Sequence, residues 1–239
     1  TKILSFMADK LPKDKPRYLM GVVSGALSLD HAALGVTRRA EVIGARTTFG
    51  ATGAMAAVQI TPDEFQGLVA PISASLEIAV FNSPTSQIVS GTRPAVEALV
   101  KAVEAKGRLA RIIDVSYASH SRFMHPLQEE ITAALRALEP KAPEVPFYST
   151  VDGGFLDEPA LDGDYFARNL RQPVRFADGI ADLAADGFDL FIEVGPHDVL
   201  SQHSRDVLSA GNLRGQAIGT LTRDDPGAAG ALSNAARAW

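Results

Sequence analysis

The stretch from residue 54 to residue 114 has a readable order of secondary-structure elements. An apolar run predicts a first strand, and Thr61-Pro62-Asp63-Glu64 then supplies an N-cap, a proline at the first helical position and acids in the first turn. Two apolar runs around a turn predict a hairpin, which an amphipathic helix over residues 93–106 and a last strand follow. The order β-α-β-β-α-β predicts a ferredoxin-like small subdomain over residues 54–114.

The rest of the chain alternates between helical and strand-like patterns. The pattern predicts a helix over residues 122–138, strands over residues 145–150, 190–194 and 217–221, and an alanine-rich helix at the C-terminus. Such alternation is typical of an α/β layer on a mostly parallel sheet.

The predicted domain organisation follows from these two patterns. Residues 21–52 are helical in pattern, so we expect residues 21–53 and 115–239 to form one large α/β subdomain that carries the small subdomain as an insertion. Residues 1–20 are basic and interrupted by prolines, and they are set apart as an atypical N-terminal segment.

Charge and cysteine content exclude several classes of function. The formal net charge is -5 and the basic residues are scattered, which argues against a nucleic-acid partner. The absence of cysteine excludes disulfides and thiolate zinc sites, and no ligand spacing indicates another metal site. The sequence shows neither a membrane-spanning apolar run nor a signal peptide, so we expect a cytoplasmic protein without membrane contact.

Two of the five histidines lie where function is often found in α/β layers. His120 follows a predicted strand in a short loop of small residues, and His197 follows a buried strand at a Gly-Pro turn. On spacing alone, His120 is as readily a structural histidine as a base, whereas His31, His125 and His203 are expected at ordinary helix positions.

The segment Tyr117-Ala118-Ser119-His120-Ser121 resembles the histidine motif of the acyltransferase domains of modular (type I) polyketide synthases, which are similar to malonyl-CoA:acyl carrier protein transacylases. Further blocks resemble that family in the same order, at residues 23–29, 82–84, 87–91, 146–151, 165–176, 193–197 and 221–225. The resemblance implies a partial α/β-hydrolase-like large subdomain with the ferredoxin-like subdomain inserted.

The resemblance also implies a reaction. Family members move an extender acyl group from coenzyme A to a serine and then to the phosphopantetheine thiol of an acyl carrier protein, without a cofactor and commonly beside a ketosynthase. His120 matches the catalytic base, and a main-chain carbonyl beside Gly195-Pro196-His197 is expected to orient it. Arg39 matches the arginine that binds the substrate carboxylate, a task that suits a planar guanidinium. Without the resemblance, Arg39 is as readily part of a charged helix face.

Four further residues are expected at the substrate. Tyr117 and Ser119 give the Tyr-Ala-Ser-His form of the motif, which resembles family members that take methylmalonyl rather than malonyl units. A phenylalanine in place of Ser119 would fill the space that an α-methyl group uses. Asn82 and His197 lie in matching blocks and are expected to bind substrate as well.

The serine nucleophile is the departure from the family pattern. The sequence contains no Gly-x-Ser-x-Gly elbow, and Ser24 in Gly21-Val22-Val23-Ser24-Gly25 is one residue out of register. Residues 11–22 instead resemble a short stretch of tRNA-guanine transglycosylases, which suggests a junction near residue 21. The alternatives are therefore an inactive fragment of an acyltransferase, a scaffold or docking relative, and an enzyme that uses another serine such as Ser119 or Ser121.

Overall fold

The computed structural model describes residues 3–7, 20–48, 53–195 and 197–221, together with the single residues 227, 233 and 236. In chain order, the elements are β1 (Ile3–Met7), α1 (Leu29–Thr48), β2 (Gly53–Val58), α2 (Pro62–Val69), β3 (Leu76–Ser83), β4 (Ser86–Thr92), α3 (Arg93–Glu104), β5 (Ala110–Ile113), α4 (Gln128–Ala134), β6 (Tyr148–Ser149), β7 (Gly154–Phe155), α5 (Gly163–Arg171), α6 (Phe176–Ala185), β8 (Leu190–Val194), α7 (Ser201–Ala210) and β9 (Gln216–Gly219). Two 3₁₀ segments, Ala70–Ser75 and Arg122–Leu127, join neighbouring elements. The predicted C-terminal helix and most of the block at residues 221–225 lie outside the described residues.

A four-stranded sheet with the order β3-β4-β2-β5 is formed between residues 53 and 113, and all of its neighbouring strands are antiparallel. Helices α2 and α3 pack on one face of this sheet through a buried apolar cluster that includes Phe65, Val96 and Leu99. The element order and the strand order are those of a ferredoxin-like unit, which confirms the predicted small-subdomain fold. The residue boundaries of the two subdomains stay a prediction.

A second sheet, β1-β8-β9, is parallel, as the alternation of strands and helices predicted. Helices α6 and α7 pack on it around the buried residues Ile180, Phe191 and Val207. Its first strand comes from residues 3–7, a segment for which the sequence pattern predicted no element. Among the described residues, no helix is both long and apolar enough to span a bilayer.

The helix predicted over residues 122–138 is divided in the structure. Residues 122–127 form a 3₁₀ segment and α4 covers only residues 128–134. Pro126 explains the division, because it has no N–H to donate into an α-helix and disfavours helical geometry at the residue before it. Ile131 and Leu135 still pack in the cluster that joins α1, α4 and α5.

The segment after α5 joins the two parts of the fold. The N–H of Val174 donates to the carbonyl of Ala79 at 2.9 Å, and the N–H of Phe81 donates to the carbonyl of Val174 at 3.0 Å. The edge of β3 is therefore paired with backbone from the large α/β part, and the residues just before Val174 lie beside the four-stranded sheet.

Candidate active site

The loop that carries His120 lies against the first residue of β2. The N–H of Gly53 donates to the carbonyl of Ser116 at 3.2 Å. A Cβ atom at position 53 would lie 2.3 Å from the backbone nitrogen of Ala118, which is closer than side-chain atoms come in proteins. Glycine therefore permits this approach, and the four-stranded sheet sets the position of the loop.

His120 is buried and has a φ of +57°, in the left-handed region that residues other than glycine rarely adopt. Its N–H donates to the carbonyl of Leu170 at 2.9 Å, and its Nδ1 lies 2.8 Å from the carbonyl oxygen of Gln172. Because a carbonyl can only accept, Nδ1 carries a hydrogen, and in the neutral ring Nε2 then carries the lone pair. The imidazole is thus in the tautomer that accepts a proton at Nε2.

A cavity of about 450 Å³ opens at His120. One wall comes from the small ferredoxin-like unit and is largely apolar, with Phe65, Val69 and Phe81 among its residues. The other wall is formed by His120, Arg122, Arg171 and Pro173. The histidine therefore borders a space between the two parts of the fold, large enough for a small organic group.

Arg39 is fully buried on α1. Its Nη1 donates to the Oδ1 of Asn169 at 3.1 Å and is 3.5 Å from the carbonyl of Phe166. Asn169 directly precedes Leu170, whose carbonyl receives the N–H of His120. Arg39 and His120 are thus both held by the last turn of α5, although Arg39 does not line the cavity.

Sequence comparison decides the family, because residues 18–238 match the family described as "Acyl transferase domain". This chain belongs to the acyl transferase domain family. Among curated proteins, it is 40% identical over 223 residues to the pikromycin polyketide synthase component PikAIII of Streptomyces venezuelae, a match that covers 91% of this chain and 13% of that protein. It is 34% identical over 220 residues to the mycoketide-CoA synthase of Mycobacterium tuberculosis, which covers 91% of this chain and 5% of that protein. The chain therefore spans only a small part of these relatives.

Solved structures agree with this assignment to the acyl transferase domain family. The acyltransferase domain from module 8 of the salinomycin polyketide synthase superposes with a TM-score of 0.88 at 34% identity, covering 98% of this chain and 54% of that one. A malonyl-CoA:acyl carrier protein transacylase from Xanthomonas oryzae gives a TM-score of 0.77 at 26% identity, covering 94% and 69%. The predicted α/β acyltransferase fold is confirmed.

One main-chain carbonyl bonded to the His120 imidazole in this acyl transferase domain belongs to Gln172. Residue 196 of the block where the orienting carbonyl was expected lies outside the described residues, so that contact stays a prediction. The N–H of Gly195 donates to the hydroxyl of Thr220 at 3.1 Å. His197, expected to bind substrate, lies in the loop after β8 and does not line the cavity.

The remaining predicted site residues are close in sequence to residues that line the cavity, but they do not line it themselves. Tyr117 is half-buried and packs against the cluster around α1, α4 and α5. Ser119 is buried in the loop, and Asn82 is buried on β3. Their assignment to the substrate stays a prediction.

Two serines considered as nucleophiles donate to main-chain carbonyls. The Ser121 hydroxyl is fully buried and donates to the carbonyl of Ala118 at 2.6 Å. The Ser24 hydroxyl is buried and donates to the carbonyl of Gly21 at 3.1 Å. Ser24 lies in a turn, and its own carbonyl accepts from the N–H groups of Glu144 and Val145, at 2.7 and 3.1 Å. These contacts give neither hydroxyl the exposed position of a nucleophile elbow.

Three charged residues at the cavity were not identified from the sequence. The Glu77 carboxylate accepts from the backbone N–H and the guanidinium of Arg122, with the guanidinium contacts at 3.0 Å, and it lies 3.6 Å from the guanidinium of Arg171. Arg122 is two residues past His120, which was an available signal. Glu77 has no such signal in the sequence, because only the pairing of strands in the sheet brings it close to His120. Within the described ranges, no group of three or more acidic, histidine or cysteine residues is arranged to hold a metal ion.

Proposed function

We propose that this chain performs the acyl transfer of polyketide biosynthesis. It takes an α-carboxyacyl group from coenzyme A, methylmalonyl in preference to malonyl, and passes it through a serine ester to the phosphopantetheine thiol of an acyl carrier protein. The observation that carries the proposal is the bond from His120 Nδ1–H to the carbonyl of Gln172 at 2.8 Å, at the edge of a cavity of about 450 Å³. Its family and its polyketide synthase relatives support the same reaction.

His120 supplies the proton transfers in this proposal. Its Nε2 takes the proton of the attacking serine hydroxyl as the C–O bond forms, and the imidazolium returns a proton to the coenzyme A sulfur as the C–S bond breaks. The Gln172 carbonyl fixes the ring and stabilises the positive charge that develops, because it accepts from Nδ1–H throughout. In the second half-reaction, the pantetheine thiol attacks the ester and the serine hydroxyl is restored. No cofactor takes part, since the coenzyme A thioester is a substrate.

Arg39 is proposed to bind the free carboxylate of the substrate because it matches the family's arginine, although its side chain is fully buried and does not line the cavity at His120. A guanidinium pairs with a carboxylate in a bidentate way, and the contact with Asn169 holds it rigidly beside the residues that support His120. Ser119 leaves room that a larger side chain would take, which supports methylmalonyl as the extender. An adjacent ketosynthase is proposed as a partner, as the resemblance to modular polyketide synthases implies.

The alternative is a relative that binds coenzyme A or the carrier protein without forming an acyl-enzyme. It is favoured by the lack of a Gly-x-Ser-x-Gly elbow in the 239 residues and by the main-chain bonds of Ser24 and Ser121. The two candidates differ in one measurable event, the covalent transfer of the acyl group to the protein.

Intact-protein mass spectrometry after incubation with methylmalonyl-CoA separates them. We expect an acyl adduct on the chain and on the His125→Ala control, whose exposed imidazole bonds to Gln128, and no adduct on His120→Ala. Binding of methylmalonyl-CoA without any adduct, lost in Arg39→Ala, would favour the alternative. Neither adduct nor binding would refute both. Competition between the two extenders tests the preference, which one methyl group limits to about 10–200-fold.

A further inference from the structure

The Glu77 carboxylate connects the two segments that hold His120. On one side, it accepts from the backbone and the guanidinium of Arg122, two residues after His120. On the other side, it lies 3.6 Å from the guanidinium of Arg171, the residue before Gln172. One carboxylate on β3 is thus bound both to the His120 loop and to the segment whose carbonyl accepts from the imidazole.

The strand direction gives Glu77 this reach. Leu76 and Ile78 pack toward α2 and α3, so Glu77 between them points to the opposite face of the four-stranded sheet. Because β3 is an edge strand, the cavity lies along the sheet edge, where Glu77, Arg122 and Arg171 are all lining residues. Its neighbours on β3 are fixed by pairing with β4 and, through Val80, with Val174.

We propose that Glu77 is a positioning residue for His120. It keeps the Arg122 and Arg171 segments at the spacing that the bond from His120 Nδ1–H to Gln172 requires, and so it maintains the tautomer with the lone pair on Nε2. The consequence for catalysis rests on the proposed function, but the effect on the tautomer does not.

A purely stabilising ion pair would behave differently. Arg122, Arg171 and Glu77 are partly exposed, with 47%, 27% and 23% of their side-chain surface accessible, and such pairs add little to global stability. Hydrogen bonds, in contrast, weaken steeply when distance and angle change. Loss of Glu77 should therefore change the tautomer ratio of the His120 imidazole and leave the melting temperature nearly unchanged.

Nitrogen NMR of the full chain with labelled histidine tests this, because it distinguishes the protonated from the unprotonated ring nitrogen. The His120 signals are assigned by their loss in His120→Asn. In the unaltered chain, we expect Nδ1 to carry the hydrogen. In Glu77→Ala, the ratio of the Nδ1–H to the Nε2–H tautomer should fall about fivefold, as for one net hydrogen bond. Glu77→Gln keeps an acceptor for Arg122 and should restore part of the ratio.

The matched control is Glu97→Gln, which removes an exposed ion pair with Arg93 on α3 and should leave the ratio unchanged. An unchanged ratio in a folded Glu77→Ala protein would overturn the proposal. If that variant does not fold, Arg171→Gln takes its place: a lower tautomer ratio would support the proposal, and an unchanged ratio would overturn it. A lower tautomer ratio in Glu77→Ala, with no acyl adduct on the unaltered chain, would support this inference and refute the proposed reaction. An adduct on the unaltered chain, with an unchanged tautomer ratio in Glu77→Ala, would support the proposed reaction and overturn this inference.

Discussion

Replacement of Gly53 by alanine should displace the His120 loop. The added Cβ would lie 2.3 Å from the backbone nitrogen of Ala118 and 2.6 Å from its Cβ, whereas ordinary contact begins near 3.4 Å. Relief therefore needs a movement of about 1 Å, and the obstructing atoms belong to backbone and to a buried methyl group rather than to a flexible side chain. Overpacking of this kind costs about 1–3 kcal/mol.

The expected loss corresponds to a fall in melting temperature of about 2–12 °C, at roughly 2–4 °C for each kcal/mol in a chain of this size. Because His120 is two residues from Ala118, a displacement near 1 Å should also slow acylation by about 10²-fold. Thermal unfolding followed by circular dichroism and the rate of adduct formation measure the two effects.

Gly67→Ala is the matched control for this substitution. Gly67 lies within α2, and nothing lies within 4 Å of an added Cβ there. The same chemical change should therefore stabilise the protein, by about 0.5–1 kcal/mol. Equal melting temperatures for Gly53→Ala and the unaltered chain would refute the close-approach argument.

Three further substitutions test the fold. Thr61→Ala removes the capping-box bond to the N–H of Glu64 and should cost about 1 kcal/mol, or about 2–4 °C in a thermal melt; no shift would contradict the cap. Ile131→Ala empties a fully buried site and should cost about 2–5 kcal/mol in urea unfolding at constant m-value, while a loss below about 1 kcal/mol would place this residue outside the core. Burial raises the pKa of Glu193 above 4.5, although N–H groups that donate to its carboxylate oppose this shift. The protonated carboxyl therefore stabilises the fold below the pKa of the unfolded chain, and this contribution is lost as pH rises through the pKa of the folded chain. Glu193→Gln should abolish that loss in melts across the acidic range, and an unchanged pH dependence would contradict the assignment.

The small ferredoxin-like unit could be predicted because its signals are local. Thr61 and Glu64 form a capping box within four residues of chain. Gly107, with φ of +71°, lies in the turn after α3, which ends at Glu104, two residues before the predicted end. The division of the helix after His120 was not predicted, because the apolar spacing of residues 122–138 is helical throughout, whereas Pro126 interrupts the α-helix by lacking an N–H.

The predicted site depends on contacts that side-chain identity does not encode. Within residues 169–174, the side chain of Asn169 accepts a hydrogen bond from the Arg39 guanidinium. The same segment offers two main-chain carbonyls to His120, places one guanidinium beside Glu77 and pairs its backbone with β3. Every residue has a carbonyl, so a sequence cannot mark which one orients an imidazole 52 positions away. Because these contacts meet in six residues, a change of backbone shape in this segment should alter His120, Arg39 and Glu77 together.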